Sequence, residues 1–325
     1  MKLKFASLAL AAGLIGGLAL SSQADAQQRV FFGIATGGTG GTYYPLGGML
    51  AQVLSNNAMI DGKKLAATAE TGNASVANAK LLGRGEIESA FIAADILDAA
   101  YKGENQFKDG AVKNIRALGA LYPETVQLIV RADSGVKKFA DLKGKSISSG
   151  SPGSGQWQLL GDLLEVHGLK REDVKEDFSS FAQSVDKIKD GNLIASLITA
   201  GTPTSSVLDL ANGHAISIVP LAGPEVEALK KKQPYYASVT LAADTYKGQT
   251  AAVETLAVMA IWASHAELSD EVAYAVVKAA YENTETLAKV HTQGKNITLA
   301  TALQSVSVPL HPGAEKFYRE KGLLK

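Results

Sequence analysis

Four times in this chain a β-rich run ends in a glycine-bearing turn and a helical pattern begins, and this recurrence restricts the fold more than any other feature. The first turn is Gly37-Gly38-Thr39-Gly40-Gly41-Thr42-Tyr43-Tyr44-Pro45 and the second is Gly72-Asn73-Ala74-Ser75. The third is Gly150-Ser151-Pro152-Gly153-Ser154-Gly155-Gln156, and the fourth is Gly201-Thr202-Pro203-Thr204, with Pro203 suited to a first helical position. Strands are predicted over 30–35, 65–71, 89–93, 115–122, 126–130, 146–148, 194–199, 216–219 and 256–262, all rich in Val, Ile, Phe and Thr and bounded by Gly, Asn, Asp or Pro. Helical periodicity lies over 44–55, 74–82, 156–167, 185–189 and 205–210. Such alternation predicts α/β layers with largely parallel sheets. At 325 residues the chain is more comfortable as two domains than as one. No Pro/Ser-rich linker is present, so two domains would be joined by strands.

The longest helix is predicted over 270–290. Ser269 can cap it, Asp270 and Glu271 complement its dipole, and Val272, Ala275, Val276, Ala279, Leu287 and Val290 form one apolar face. That stripe reads as core.

The glycine turns are where a ligand can be met. Each exposes backbone N–H groups at the positive end of a helix, an arrangement that binds anions. In open α/β sheets such loops gather at the carboxyl edge of the strands. Four of them around one crevice would cradle a carboxylate without an arginine, although glycine also serves simply to permit tight turns.

Charge argues against nucleic acid as a partner. Lys+Arg and Asp+Glu stand at 32 each, whereas a nucleic-acid binder carries a basic excess or a basic run. The cationic cluster Lys230-Lys231-Lys232 sits at the end of a predicted helix, where it compensates the dipole. At the N-terminus Lys2 and Lys4 precede an apolar run over 5–20, and Ala24-Asp25-Ala26 follows as a cleavage site. This reads as a secretory signal peptide over 1–26, with a mature protein starting at Gln27 in the periplasm. With no cysteine in the chain, neither disulfides nor a lipidated N-terminal cysteine can form.

Catalytic patterns do not assemble. The first turn lacks the third glycine of a dinucleotide fingerprint, because Tyr43 stands there, and no Gly-Lys-Ser/Thr follows it. Neither Ser151 nor Ser154 has the Gly-x-Ser-x-Gly spacing of a nucleophile elbow, although Ser154 between two glycines remains the one candidate for a hydrolase or transferase reading. The five histidines show no metal-ligand spacing. The expectation is a chain without catalytic residues, metal or cofactor.

From the first glycine turn onward the sequence resembles the TAXI-family solute-binding subunits of TRAP transporters. The resemblance is carried by residues 37–45 followed by Leu46-Gly47-Gly48, by Thr71-Gly72-Asn73-Ala74-Ser75 with Asn78, by Leu121-Tyr122-Pro123-Glu124, and by Asp141-Leu142-Lys143-Gly144-Lys145 after Ser134-Gly135-Val136. Residues 150–155, Ala200-Gly201-Thr202-Pro203-Thr204 and the terminal His311-Pro312-Gly313-Ala314-Glu315-Lys316-Phe317-Tyr318 continue it. The chain departs at Ile194-Ala195, where the family more often has an Asp-Ala pair.

This resemblance implies a two-domain periplasmic-binding-protein-like α/β fold, each domain a mixed, mostly parallel sheet flanked by helices, with a cleft that closes on ligand. Domain I would comprise 27–128 and 256–325, and domain II 129–255, with crossings at the strands over 126–130 and 256–262. Implied ligands are small carboxylates or amino acids such as glutamate, glutamine or 2-oxoglutarate. The implied partners are the membrane subunits of a TRAP transporter. On this reading Thr39, Tyr43 and Tyr44, with Gly72, Asn73 and Asp95, form one side of the site. Gly153, Ser154, Gly155 and Gln156, with Gly201, Pro203 and Thr204, form the other. Tyr43 and Tyr44 suit either a ligand wall or the core, and Asp95 suits either a ligand ammonium or a helix start.

Overall fold

The computed structural model describes residues 29–325, so the predicted signal peptide lies outside the described residues. The chain enters the fold in β1 (Val30–Ala35), and the first glycine turn leads into α1 (Tyr43–Asn57). A hairpin follows, β2 (Met59–Ile60) and β3 (Lys63–Glu70), turned by Asp61 and Gly62 at φ 48° and 74°. Positive φ at both central residues is the signature of a tight hairpin turn and explains the Asp-Gly pair. Then come α2 (Ser75–Gly83), β4 (Ser89–Ala93), α3 (Ala94–Lys102) and the long strand β5 (Ile115–Arg131). The second half continues with β6 (Ser146–Ser148), α4 (Gln156–Val166), β7 (Lys175–Asp177), α5 (Phe181–Lys189), β8 (Ala195–Ala200), α6 (Ser205–Gly213) and β9 (Ile216–Val219). Last are α7 (Pro224–Lys232), β10 (Ala237–Leu241), β11 (Val253–His265), α8 (Asp270–Tyr281), α9 (Thr284–Leu287) and α10 (Pro312–Glu320).

The strands join in the order β2-β3-β1-β4-β11-β5-β8-β6-β7, with β10 also on β11 and β9 also on β5. The α/β expectation holds, and the sheet is mixed. In the two wings β1 pairs in parallel with β3 and β4, and β6 with β7 and β8. The centre is antiparallel: β5 and β11 pair with each other, β4 joins β11, and β8 and β9 join β5. The N-terminal part of β5 runs beside β11 as far as Thr125, and its C-terminal part runs beside β8 and β9. β11 likewise pairs with β10 through its first half and with β4 through its second.

Three predictions change on folding. The strands expected over 115–122 and 126–130 are one strand, because Pro123 falls where the β5–β11 register slips between Met259 and Ile261. A proline without an N–H is tolerated at such an irregularity. The helix expected over 270–290 stops at Tyr281, since Asn283 leaves helical φ/ψ and its amide donates to Ala279 O at 2.8 Å. Val290 is consequently exposed, whereas Ser269 caps α8 as expected, accepting from Val272 N at 3.2 Å. Pro203 does not start a helix: Thr204 is the N-cap of α6, and the Thr202–Pro203 peptide is cis.

β4, Ser-Ala-Phe-Ile-Ala, is buried at all five positions, as a strand covered on both faces must be. On one face Phe32, Trp262, Tyr122, Phe317 and Tyr318 form the core under α1, α8 and α10. On the other face a cluster from Ile92 through Leu128 to Leu197 spans both halves of the sheet. Ile129, Ile198, Val207 and Leu210 close a third cluster beneath α5 and α6. Among the described residues no helix is long and apolar enough to cross a membrane.

Candidate ligand site

A cavity of about 170 Å³ lies where the first three glycine turns converge. It is smaller than the ~300–1,000 Å³ typical of sites for drug-sized ligands, so it suits a small solute. Helix starts supply much of its wall. Thr42 is the N-cap residue of α1, yet its hydroxyl donates to Gly201 O at 3.0 Å, and no side chain caps the α1 amides. α2, which starts after Ala74, and α4, which starts after Gly155, also lack side-chain caps, and both starts line the cavity. α3, which starts after Ala93, is uncapped as well, so four uncapped helix N-termini line one small volume, where backbone N–H groups and helix dipoles favour an anion. The start of α5 also lines it, but there Ser180 accepts from Gln183 N in a capping box.

The remaining polar lining has the opposite character. Glu124, from the middle of β5 opposite Val258 of β11, is 4% exposed and accepts the Tyr43 hydroxyl at 2.9 Å. Asp95, in the first turn of α3, accepts the Tyr236 hydroxyl at 2.7 Å. Burial raises the pKa of Asp95, against the hydrogen bond from Tyr236, and raises that of Glu124 well above the carboxylate range, with the Asp95 charge adding to the effect. Among the described residues no Lys, Arg or His lines the cavity. Ser154 and Gln156, 7% and 8% exposed, are also in the lining, and their buried side-chain oxygens have no hydrogen-bond partner among the described residues.

The segments that meet here are far apart in sequence and touch directly around the cavity. Ala77 N donates to Gly153 O at 3.0 Å and Ser206 N to Gly40 O at 3.1 Å. With the Thr42–Gly201 and Tyr236–Asp95 bonds, these link residues before β5 to residues after it on several sides.

Of the residues singled out from the sequence, Thr39, Tyr43, Gly72, Asn73, Asp95, Ser154, Gly155 and Gln156 line the cavity. Tyr43 does so while packing edge-on against Phe91 in the core, so its two readings merge. Tyr44 points outward, at 37% exposure. Gly153 lies just outside the lining, at φ 89°, where a Cβ would come within 3.3 Å of Ala77 and Asn73. The fourth turn does not join the other three. Gly201 and Thr204 are buried in a separate network, in which Gly201 O accepts the Thr42 and Thr204 hydroxyls and Thr204 N donates to Tyr246. Pro203 O accepts from His291 Nε2. A Cβ on Gly201 would meet Gln293 and Thr42 at under 3 Å, so this glycine permits close packing of the turn. In place of the fourth turn, Thr199 and Ala200 at the end of β8 and the α5 start complete the lining.

Sequence reasoning assigned no ligand role to Glu124 and Tyr236. Glu124 stands in the Pro-Glu-Thr stretch between the strands expected over 115–122 and 126–130, where an acid carries no signal of burial. Tyr236 carries no local signal; it meets Asp95 across 141 residues of sequence. Among the described residues no group of three His, Asp or Glu side chains is placed to hold a metal.

A family model described as the NMT1-like family matches residues 34–322. A solved protein from Bordetella bronchiseptica RB50 superposes with a TM-score of 0.56 at 16% identity, over 90% of this chain and 98% of that one. The ligand-binding component of an ABC-type import system from Staphylococcus aureus, solved with zinc bound, gives 0.50 at 12% identity, over 91% and 93%. At these identities the likeness concerns the fold.

Proposed function

The chain belongs to the NMT1-like family, and from that premise we propose that it is an exported solute-binding protein of the TAXI type, which captures a small carboxylate or amino acid and hands it to a TRAP-type membrane transporter. The observation that carries this reading is the 170 Å³ cavity walled by four uncapped helix N-termini. Such a wall binds an anion through backbone groups, as the glycine turns led us to expect. We assign 27–128 with 256–325 to one lobe and 129–255 to the other, with the cavity between them and residues 1–26 as the export signal.

Capture rather than chemistry fits the lining. Among the described residues Ser154 Oγ has no hydrogen-bonded base, as a nucleophile of the hydrolase reading would need. Direct bonds such as Ala77–Gly153 and Ser206–Gly40 would hold the lobes closed, and a ligand touching both would add its differential affinity to that state.

The test is mass spectrometry of small molecules released from protein purified without denaturation, followed by thermal melting of stripped protein against amino acids and small di- and tricarboxylates. A bound solute recovered unchanged, and a melting temperature that rises with its concentration, are the expected results. A stripped protein that no small solute stabilises would refute the assignment.

A further inference from the structure

We propose that Ala74 is a strained joint tied to closure of the two lobes, so that the second turn takes its place at the cavity only when the third turn docks on it. This inference rests on the lobes proposed above and on no particular ligand.

Ala74 has φ 62° and ψ −149°, a combination populated almost solely by glycine, because an L side chain there crowds its own backbone. Other residues with positive φ include Asp61, Asn105 and Asp244, whose side chains can bond locally and tolerate it. A methyl group offers no such compensation. Strain of this kind persists only where the surroundings impose it.

Here they impose it from three sides. Gly72 N donates to Gly37 O at 3.4 Å, which ties the second turn to the first. Downstream, Ser75 Oγ accepts from Ala93 N at 3.0 Å, and the buried Asn78 amide donates to Thr36 O at 2.9 Å and Phe91 O at 2.8 Å. These bonds fix the start of α2 to β4 and to the residue that follows β1. From across the cavity comes the third turn: Ala77 N donates to Gly153 O at 3.0 Å, and a Cβ on Gly153 would lie 3.3 Å from Asn73 and Ala77. Gly153 lies after β5, in the other proposed lobe, and bears on the residues either side of Ala74. Between Gly72 and Ser75, both bonded within their own lobe, the chain can yield at Asn73 and Ala74.

The consequence for the cavity is directional. The ψ of Ala74 orients the N–H of Ser75, a lining residue whose amide makes no hydrogen bond among the described residues. When the lobes part, the Ala77–Gly153 bond is lost, Ala74 relaxes to a negative φ, and that N–H turns away. Closure reverses both changes, so the α2 wall of the site is complete only in the closed form.

Native-state amide exchange of stripped protein tests this without any ligand. Ala77 carries the third amide of α2, which has no partner inside the helix, so its protection reads the population of the closed form. Glycine adopts the Ala74 conformation freely. Ala74→Gly should therefore raise protection at Ala77 by about 5-fold, after allowance for the greater freedom of glycine in the open form. Ser305→Gly relieves a φ of 56° outside the cavity lining and, as the control, should leave Ala77 as it is. Urea unfolding establishes that each variant is folded. Unchanged or lower protection at Ala77 in Ala74→Gly overturns the inference, because the strain would then be present in open and closed forms alike. An equal rise in Ser305→Gly overturns it too, since the effect would not belong to this joint. No solute enters the measurement, so its outcome is separate from that of the solute-binding reading, which the melting experiment decides.

Discussion

Replacing Glu124 by glutamine keeps the shape of the side chain and an acceptor for the Tyr43 hydroxyl, and it removes one titrating group from the cavity wall. Burial holds the folded-state pKa of Glu124 well above its ordinary value of 4.5, with the Tyr43 hydrogen bond only partly opposing it. A carboxyl raised on folding contributes its full share of stability below the unfolded pKa and loses it as pH rises toward the folded pKa. Below pH 4.5 the wild type and Glu124→Gln should therefore be close in stability. Above it, the unfolded chain ionises while the buried carboxyl stays protonated, and the wild type falls behind the variant by about 1.4 kcal/mol per pH unit until the folded group ionises too. Surface carboxylates with lowered pKa, such as Asp141 and Asp173, push the other way, but they are common to both proteins and cancel in the difference. Urea denaturation of stripped protein at half-unit steps of pH measures the gap. A gap that stays flat or shrinks with rising pH would mean that Glu124 is not an isolated buried acid, and the account of the cavity electrostatics would be wrong.

Gly119→Ala should be far more damaging, because its Cβ would fall within 2.3 Å of the hydroxyls of both Tyr281 and Tyr318. Those hydroxyls donate to Ala120 O and Leu118 O at 2.7 Å, so loss of two buried bonds with overpacking predicts about 3–5 kcal/mol by chemical denaturation; a change under 1 kcal/mol would contradict the packing. Gly153→Val places a β-branched residue at φ 89° against Asn73 and Ala77, and should cost about 1–3 kcal/mol and weaken ligand binding in titration. Ser269→Ala, which removes the cap on α8, should cost about 1 kcal/mol in the same denaturation assay and leave affinity unchanged.

The backbone frame was legible wherever composition and punctuation agreed. β1, β4, β6 and β9 occupy the predicted residues, since apolar β-formers there run between glycine or polar breaks. β7 is Lys-Glu-Asp, a strand by virtue of pairing with β6 and without any local signal of its own. Proline suggested a break in β5 that the register slip absorbs, and no periodicity announced that Asn283 would end α8. The site divides the same way. Glycine turns that end strands and start helices announce themselves, so three of the four were placed at the cavity from sequence. The fourth is turned aside by its packing on Thr42 and Gln293. Charge in the wall was hidden because it depends on pairs such as Tyr43 with Glu124, which lie 81 residues apart.

β5 and β11 also set how the molecule can move. They are paired with each other and each continues into the sheet beyond, so the halves proposed as lobes share a continuous hydrogen-bonded ribbon instead of a loose tether. A ribbon of two strands resists stretching and in-plane shear, since both would break its ladder, but it yields readily to twist. Opening of the proposed lobes would then be confined to one soft coordinate, a winding and unwinding of the ribbon, with their register kept. A search restricted to one dimension returns quickly to the same closed geometry. For the carrier proposed above, which would present the same face to a transporter each time it is filled, that reproducibility would come from the two strands at the centre of its sheet.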